Sequence, residues 1–207
     1  STLPATELKR MVKKIRDERW VQLMGAFNDW GFEYEKMLQT LTIAKDYDSV
    51  LILAEAVLAV RIKKEAERET RGFLSDTPFY FREMGYTKVF EYLLQIPDEA
   101  IQKILDLTTK VMKQCVLFGE KEDENKVFEV YDSFFLLDVD FFTLELSEKD
   151  RLSYRDDVKN LAAVIKGLTV RIVNKNCANI EAVNEIYTQY FEVLPDSRSM
   201  WRLRLFV

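Results

Sequence analysis

The segment at residues 48–72 constrains the fold most, because it begins as an aliphatic run and ends as a highly charged one. Between residues 50 and 60 only Glu55 interrupts the apolar side chains, so this half needs neighbours on nearly all sides. The second half carries acids and bases at helical spacings, which is typical of a solvated helix. An aspartate at its start and a glycine at its end suit the two caps. The pattern predicts one long helix whose first half forms the centre of the core.

Glycine and proline are scarce, at six and four of 207 residues, which leaves few turns and favours long helices. The helices predicted from apolar spacing cover residues 6–28, 32–44, 48–72, 87–95, 97–118, 123–137, 147–174 and 179–194. Residues 138–146 have no helical period. We therefore predict a single all-α domain over residues 1–207, built as an antiparallel helical bundle or a short stack of helical hairpins with about eight helices. Its spacing is helical-repeat-like, but the tetratricopeptide signature is absent.

The chain contains no histidine. It therefore lacks the usual general base near neutral pH and the commonest nitrogen ligand for transition metals. No glycine-rich phosphate loop is present either. Catalysis would have to rely on carboxylates, lysine, tyrosine or cysteine. These absences favour a non-enzymatic protein that binds no cofactor, with one enzymatic alternative described below.

Charge is unevenly distributed along an acidic chain. The formal net charge of −5 argues against a dedicated polyanion-binding protein. Residues 1–19 nevertheless carry six basic residues against three acidic ones, and residues 198–207 carry three against none. Residues 120–157 carry thirteen acidic residues against five basic ones. This distribution predicts that the basic ends contact an acidic surface, within the fold or across an oligomer interface.

The basic residues near the N-terminus belong to an amphipathic helix predicted within residues 1–30. Apolar side chains follow one face of this helix, and Lys9, Arg10, Lys13 and Lys14 lie around the other. An ordinary solvated helix face explains the pattern. The functional alternatives are binding of a protein partner, of RNA or of an anionic membrane through these four residues.

The C-terminal segment at residues 195–207 alternates polar and apolar side chains before it ends on hydrophobic residues. An apolar tail left in water is a liability, so we expect this segment to dock on its own chain or on a partner. The residues predicted to make the contact are Met200, Trp201, Leu203, Leu205 and Phe206.

Asp156, Asp157 and Asn160 lie near the start of a predicted helix, at a spacing that lets them share a hard cation. Their sequence, DDVKN, resembles the aspartate-rich motif with which terpene synthases hold magnesium and diphosphate on an all-helical fold. The family's second motif is not matched, because phenylalanine and lysine follow Asn28 and Asp29 where serine and glutamate belong. The resemblance implies a magnesium-dependent all-α enzyme acting on a phosphorylated or prenyl substrate. Solvated acids at a helix start are the structural explanation.

Glu55 lies in an aliphatic run, and the two cysteines lie in apolar or helical sequence. A carboxylate in an aliphatic run is costly unless it is paired or protonated, so Glu55 should either face a wet groove or meet a basic partner. We expect a buried, satisfied structural acid, with a functional site as the alternative. Cys115 and Cys177 lack C-x-x-C spacing and are expected to be inert core thiols. The cysteine usage, the absence of an N-x-S/T sequon and the short apolar runs predict an intracellular protein, cytoplasmic or in an organellar matrix, that is not secreted and has no transmembrane segment.

These observations favour a non-enzymatic α-helical interaction or scaffold protein that acts as a subunit of a homo-oligomer or larger assembly. Its partners would be proteins, and the basic N-terminal face and the apolar tail are the predicted contact surfaces. RNA or anionic-membrane binding and the magnesium-dependent enzyme are the two alternatives.

Overall fold

The structure, a computed structural model, describes residues 3–18, 20, 31–62, 79–81, 87–122, 157–194 and 204–205. These ranges contain seven α-helices and one pair of short strands. In chain order they are α1 (Ala5–Asp17), α2 (Gly31–Ile43), α3 (Tyr47–Val57), β1 (Val60–Ile62), β2 (Phe79–Phe81), α4 (Thr87–Leu94), α5 (Ile101–Glu122), α6 (Asp157–Asn176) and α7 (Ile180–Tyr190). A single 3-10 turn, Asp98–Ala100, leads into α5. The predicted helical fold is confirmed, with the strand pair as an addition to it. No described helix is long and apolar enough to cross a membrane.

The prediction of one helix over residues 48–72 is wrong. Helix α3 ends at Val57, and the chain then forms β1, which pairs antiparallel with β2 so that Arg61 lies opposite Tyr80. The physical reason is the pairing of two segments that suit a strand, because β1 alternates two β-branched residues with one charged residue and β2 is wholly aromatic. Residues 63–72 lie outside the described ranges.

Helices α2 and α3 form a hairpin with a tight turn. Lys45 adopts a left-handed backbone conformation with φ of 55°, which ends α2. Asp46 then caps α3, because its carboxylate accepts from the Ser49 backbone N–H at 3.3 Å and from the Ser49 hydroxyl at 2.8 Å. The cap therefore lies two residues before Asp48, the predicted one.

The predicted N-terminal helix is shorter than expected. Helix α1 ends at Asp17, where the predicted helix ran to residue 28, and Glu18 is its C-terminal cap. Residues 21–30 lie outside the described ranges. The predicted apolar face is confirmed, since Leu8, Val12 and Ile15 are all buried in the core.

Helix α6 is the most buried helix of the described part, because every residue from 160 to 169 is buried. It packs against α5, α4 and α7. Helix α3, the predicted centre, instead has a solvent-exposed side that carries Glu55. The expectation that residues 50–60 would be the most enclosed segment is therefore corrected.

Two ion pairs join α3 to α5 along the same direction of the chain. Lys103 donates to Asp48 at 2.6 Å, and Lys110 donates to Glu55 at 2.9 Å. From the first ion pair to the second, the residue number rises by seven in both helices, so the two helices run parallel. The hydrogen bond from Lys103 also lowers the pKa of Asp48.

Helices α5 and α6 run antiparallel. Asp98, just before α5, accepts from Arg171 at 2.6 Å near the end of α6, and Arg171 also donates to the Leu94 carbonyl at 3.0 Å. The predicted antiparallel packing therefore describes α5 and α6 but not α3 and α5.

Candidate interaction surfaces

The basic face of α1, formed by Lys9, Arg10, Lys13 and Lys14, is exposed to solvent along its whole length. It lies opposite the apolar side chains that hold α1 on α3 and α2. The basic face therefore points to solvent, while the opposite side of α1 packs in the core.

Lys9 differs from the other three residues of the basic face, because its ammonium lies 3.7 Å from the Asp46 carboxylate. Since Asp46 caps α3, this pair joins α1 to the start of α3. Within the part of the chain that the structure describes, no ion pair involves Arg10, Lys13 or Lys14. These three cations are the ones available to an external anion.

A second charged surface, the acidic face of α7, consists of Glu181 and Glu185 on the helix and Glu192 just after its end. All three side chains are exposed, and no lysine or arginine occurs between residues 180 and 192. They form no ion pair with any other described residue. The acidic face therefore carries a concentrated negative charge that the described structure does not neutralise.

Helix α7 is held in place by its start and by its buried side. The Asn179 side chain caps it by accepting from the backbone N–H groups of Glu181 at 3.1 Å and Ala182 at 3.2 Å. Ile186 and Tyr190 are buried on the opposite side from the glutamates. Burial, reinforced by the nearby Asp106 carboxylate, raises the pKa of Tyr190 to about 12. The helix therefore presents Glu181 and Glu185 on its solvent-facing side.

Sequence analysis missed the acidic face, although a signal was present. Glu181 and Glu185 are four residues apart on a predicted helix with no basic neighbour at helical spacing. The denser acidic segment at residues 120–157 was instead predicted to be the acidic surface. Most of that segment lies outside the described residues.

The C-terminal segment is described only at Arg204 and Leu205. Arg204 is buried and donates to the main-chain carbonyls of Phe191 at 3.0 Å, Glu192 at 3.3 Å and Leu194. These carbonyls follow the last turn of α7, where helix carbonyls lack intrahelical partners. Leu205 is 81 % exposed. The other predicted tail residues, Met200, Trp201, Leu203 and Phe206, lie outside the described ranges, so the tail's role in binding stays a prediction.

The residues of the possible magnesium motif are only partly described. Asp156 lies outside the described ranges, Asp157 is the first residue of α6, and Asn160 is completely buried with an interaction partner of its own. Among the described residues, no three cysteine or carboxylate side chains are grouped as a metal site would need. The magnesium-dependent enzyme stays an untested prediction.

Glu55 and Cys177 are not buried as predicted. Glu55 is exposed and paired with Lys110, so the expectation of a satisfied acid is right and that of a buried one is wrong. Cys115 is buried as expected, whereas Cys177 is exposed in the turn after α6. Both are free thiols.

Lys166 is the charged residue that sequence analysis overlooked. It is fully buried in α6 and is the only charge in residues 161–170. A buried ammonium requires a compensating partner, and Lys166 has one. The interaction makes Lys166 part of the core architecture.

A surface cleft of about 330 Å³ lies between the start of α5 and the last turn of α6. Its charged lining includes Asp98 and Lys175, whose nearest charged atoms are 3.9 Å apart, and Asp98 also pairs with Arg171. These groups pair with one another and so join the two helices across the cleft.

Comparison of the chain with protein-family models, with curated protein sequences and with solved structures found no match.

Proposed function

We propose that this protein is a non-enzymatic interaction or scaffold subunit whose basic face on α1 binds an acidic surface of a protein partner. The observation that carries the proposal is that Arg10, Lys13 and Lys14 are exposed on a firmly packed helix without an ion pair to any described residue. Three like charges on one helix repel one another. A complementary anionic surface relieves this repulsion and steers association.

The packing of α1 favours a protein partner over a membrane. An amphipathic helix binds a bilayer by inserting its apolar side among the lipids. In α1 that side consists of Leu8, Val12 and Ile15, which are already buried in the core. Insertion would require α1 to leave the fold.

The overall charge favours a protein partner over RNA. The chain carries a formal net charge of −5, so long-range repulsion opposes the approach of a polyanion as extended and dense in charge as RNA. A short acidic surface on a protein contacts only the basic face itself. RNA binding is therefore a separate outcome of the test below.

The proposal is tested by fluorescence anisotropy with three probes: a labelled glutamate-rich peptide, a single-stranded RNA of equal charge, and vesicles containing an anionic phospholipid. We expect the wild-type protein to bind the peptide most tightly, and the affinity to fall as salt is added. The variant R10E/K13E should bind the peptide about tenfold more weakly, because two attractive contacts become repulsive.

The matched control is K110E/K113E, which makes the same change in net charge at two exposed lysines of α5, whereas α1 packs on α3 and α2. It should bind as the wild type does. Equal losses in both double variants, or tighter binding to RNA or vesicles than to the peptide, would overturn the proposal. Circular dichroism of each variant checks that α1 remains folded.

We further propose that the helices form a bundle of hairpins in one intracellular domain. The α2–α3 hairpin and the antiparallel packing of α5 on α6 support the bundle. The two free thiols, Cys115 and Cys177, support a reducing compartment. Limited proteolysis tests the single domain, which should yield one resistant fragment that spans α1 to α7.

A further inference from the structure

We propose that the acidic partner of the basic face is a second copy of this chain, which presents the acidic face of α7. The inference rests on the proposed function and adds the identity of the partner. Its basis is charge complementarity between two exposed helical faces. Apart from Lys9, which pairs with Asp46, the charged residues of these faces form no ion pair with any described residue.

The spacing of the charges on the two helices is the same. Arg10 and Lys14 are four residues apart on α1, and Glu181 and Glu185 are four residues apart on α7. Four residues of helix correspond to about 6 Å along the axis. When the two helices lie side by side, Arg10 and Lys14 can therefore pair with Glu181 and Glu185 at the same time. Two ion pairs fix the alignment of the helices, whereas one does not.

The two faces lie on different flanks of the core. Helix α1 packs on α3 and α2, whereas α7 packs on α6 and α5. Contact between α1 of one copy and α7 of the next is therefore head-to-tail, and each copy keeps one face available for a further neighbour. Such contacts produce rings or open chains of subunits, which suits the role of a scaffold.

Exposed apolar residues border the acidic face at both ends. Ile180, before Glu181, is 69 % exposed, and Val193, after Glu192, is 54 % exposed. Large apolar side chains beside a charged surface add buried area when the charges pair.

The expected contact is weak and sensitive to salt, since exposed ion pairs each contribute roughly 0.2–1 kcal/mol. Sedimentation velocity over a wide range of protein concentration should therefore show an average mass that rises with concentration at low salt and falls towards the monomer at high salt. The control K110E/K113E should behave as the wild type.

Charge-reversal variants on each face test the pairing directly. R10E/K14E places two carboxylates opposite Glu181 and Glu185, and E181K/E185K places two ammonium groups opposite Arg10 and Lys14, so each variant alone should remain monomeric. An equimolar mixture should associate again, because each reversed face meets a complementary face on the other variant. The four substitutions combined in one chain should likewise restore self-association.

Several outcomes would overturn the inference. A wild-type protein that stays monomeric at every concentration would do so, as would a mixture that does not associate or an E181K/E185K variant that associates as the wild type does. In these cases binding of the glutamate-rich peptide through α1 would still stand. Loss of peptide binding specificity, in contrast, removes the proposed function itself.

Discussion

Lys110 in α5 donates to the Glu55 carboxylate in α3 at 2.9 Å, and both side chains remain about half exposed. An ion pair in water gains little, because solvent screens the attraction and ordering two long side chains costs entropy. Glu55 is thus tolerated in its aliphatic segment by facing out of the core.

A double-mutant cycle measures this pair. We expect E55Q, K110Q and the double variant to give a coupling free energy of about 0.2–1 kcal/mol in chemical denaturation. The coupling should shrink as salt is added. A coupling above about 3 kcal/mol would instead indicate a desolvated pair.

Replacement of Ile165 by alanine tests the central position of α6. The side chain is fully buried, so we expect I165A to lower the free energy of unfolding by about 2–5 kcal/mol through lost burial and a cavity. The matched control is I43A, at an isoleucine that is 77 % exposed. Its effect should stay within about 0.5 kcal/mol. Equal effects of the two variants would contradict the described core.

Replacement of Lys166 by methionine tests whether the buried ammonium is bonded. The change preserves the length of the side chain but leaves its partner unsatisfied, so we expect a loss of about 1–3 kcal/mol in unfolding free energy. K113M, at an exposed lysine of α5, is the control and should be nearly neutral. If K166M raises the free energy of unfolding, the buried cation destabilises the fold.

Arg204 is predicted to hold the end of α7. Its guanidinium donates to three carbonyls after the last helical turn, so R204M should leave them without these donors and lower the stability by about 1–3 kcal/mol. Hydrogen exchange should show the loss of protection concentrated in residues 186–194. R204K should recover only part of the effect, because an ammonium cannot reproduce the planar fork. Uniform loss of protection across all helices would contradict a local role.

Tyr190 makes the stability of the fold decrease at alkaline pH. Its pKa is about 12 in the folded protein against 10.0 for the ordinary group. The unfolded chain therefore releases its proton first, and stability is retained below about pH 10 and lost as the pH rises towards 12. Between pH 9 and pH 11 we expect the wild type to lose roughly 1 kcal/mol more than Y190F in denaturant unfolding. Parallel pH profiles for the two proteins would contradict this assignment.

The amphipathic pattern predicted the buried side of α1 correctly, because a surface helix records its two environments in its own sequence. The junction after α3 was not predictable in the same way. Residues 60–62 fit a strand, but they also continue an apolar helical run, and their partner strand begins seventeen residues later. Pairing with a distant segment decided between the two.

Glu55 and Lys166 show that the sequence around a single charged residue does not predict whether its side chain is buried. Each is the one charge in an apolar run, yet Glu55 is exposed and Lys166 is buried. The difference comes from the neighbours of each helix, since α3 has a free side and α6 has none in its central part. Helix packing of this kind is not recorded in the spacing of residues within one segment.

The parallel alignment of α3 and α5 has a consequence for the order of folding. Both ion pairs between them join residues 55 positions apart in the chain, whereas the α2–α3 hairpin closes over a few residues. Long-range contacts form against a larger loss of chain entropy, so we expect the hairpin to form early and the α3–α5 contact late. Substitution of Glu55 should then accelerate unfolding and leave the refolding rate nearly unchanged, which stopped-flow kinetics would measure.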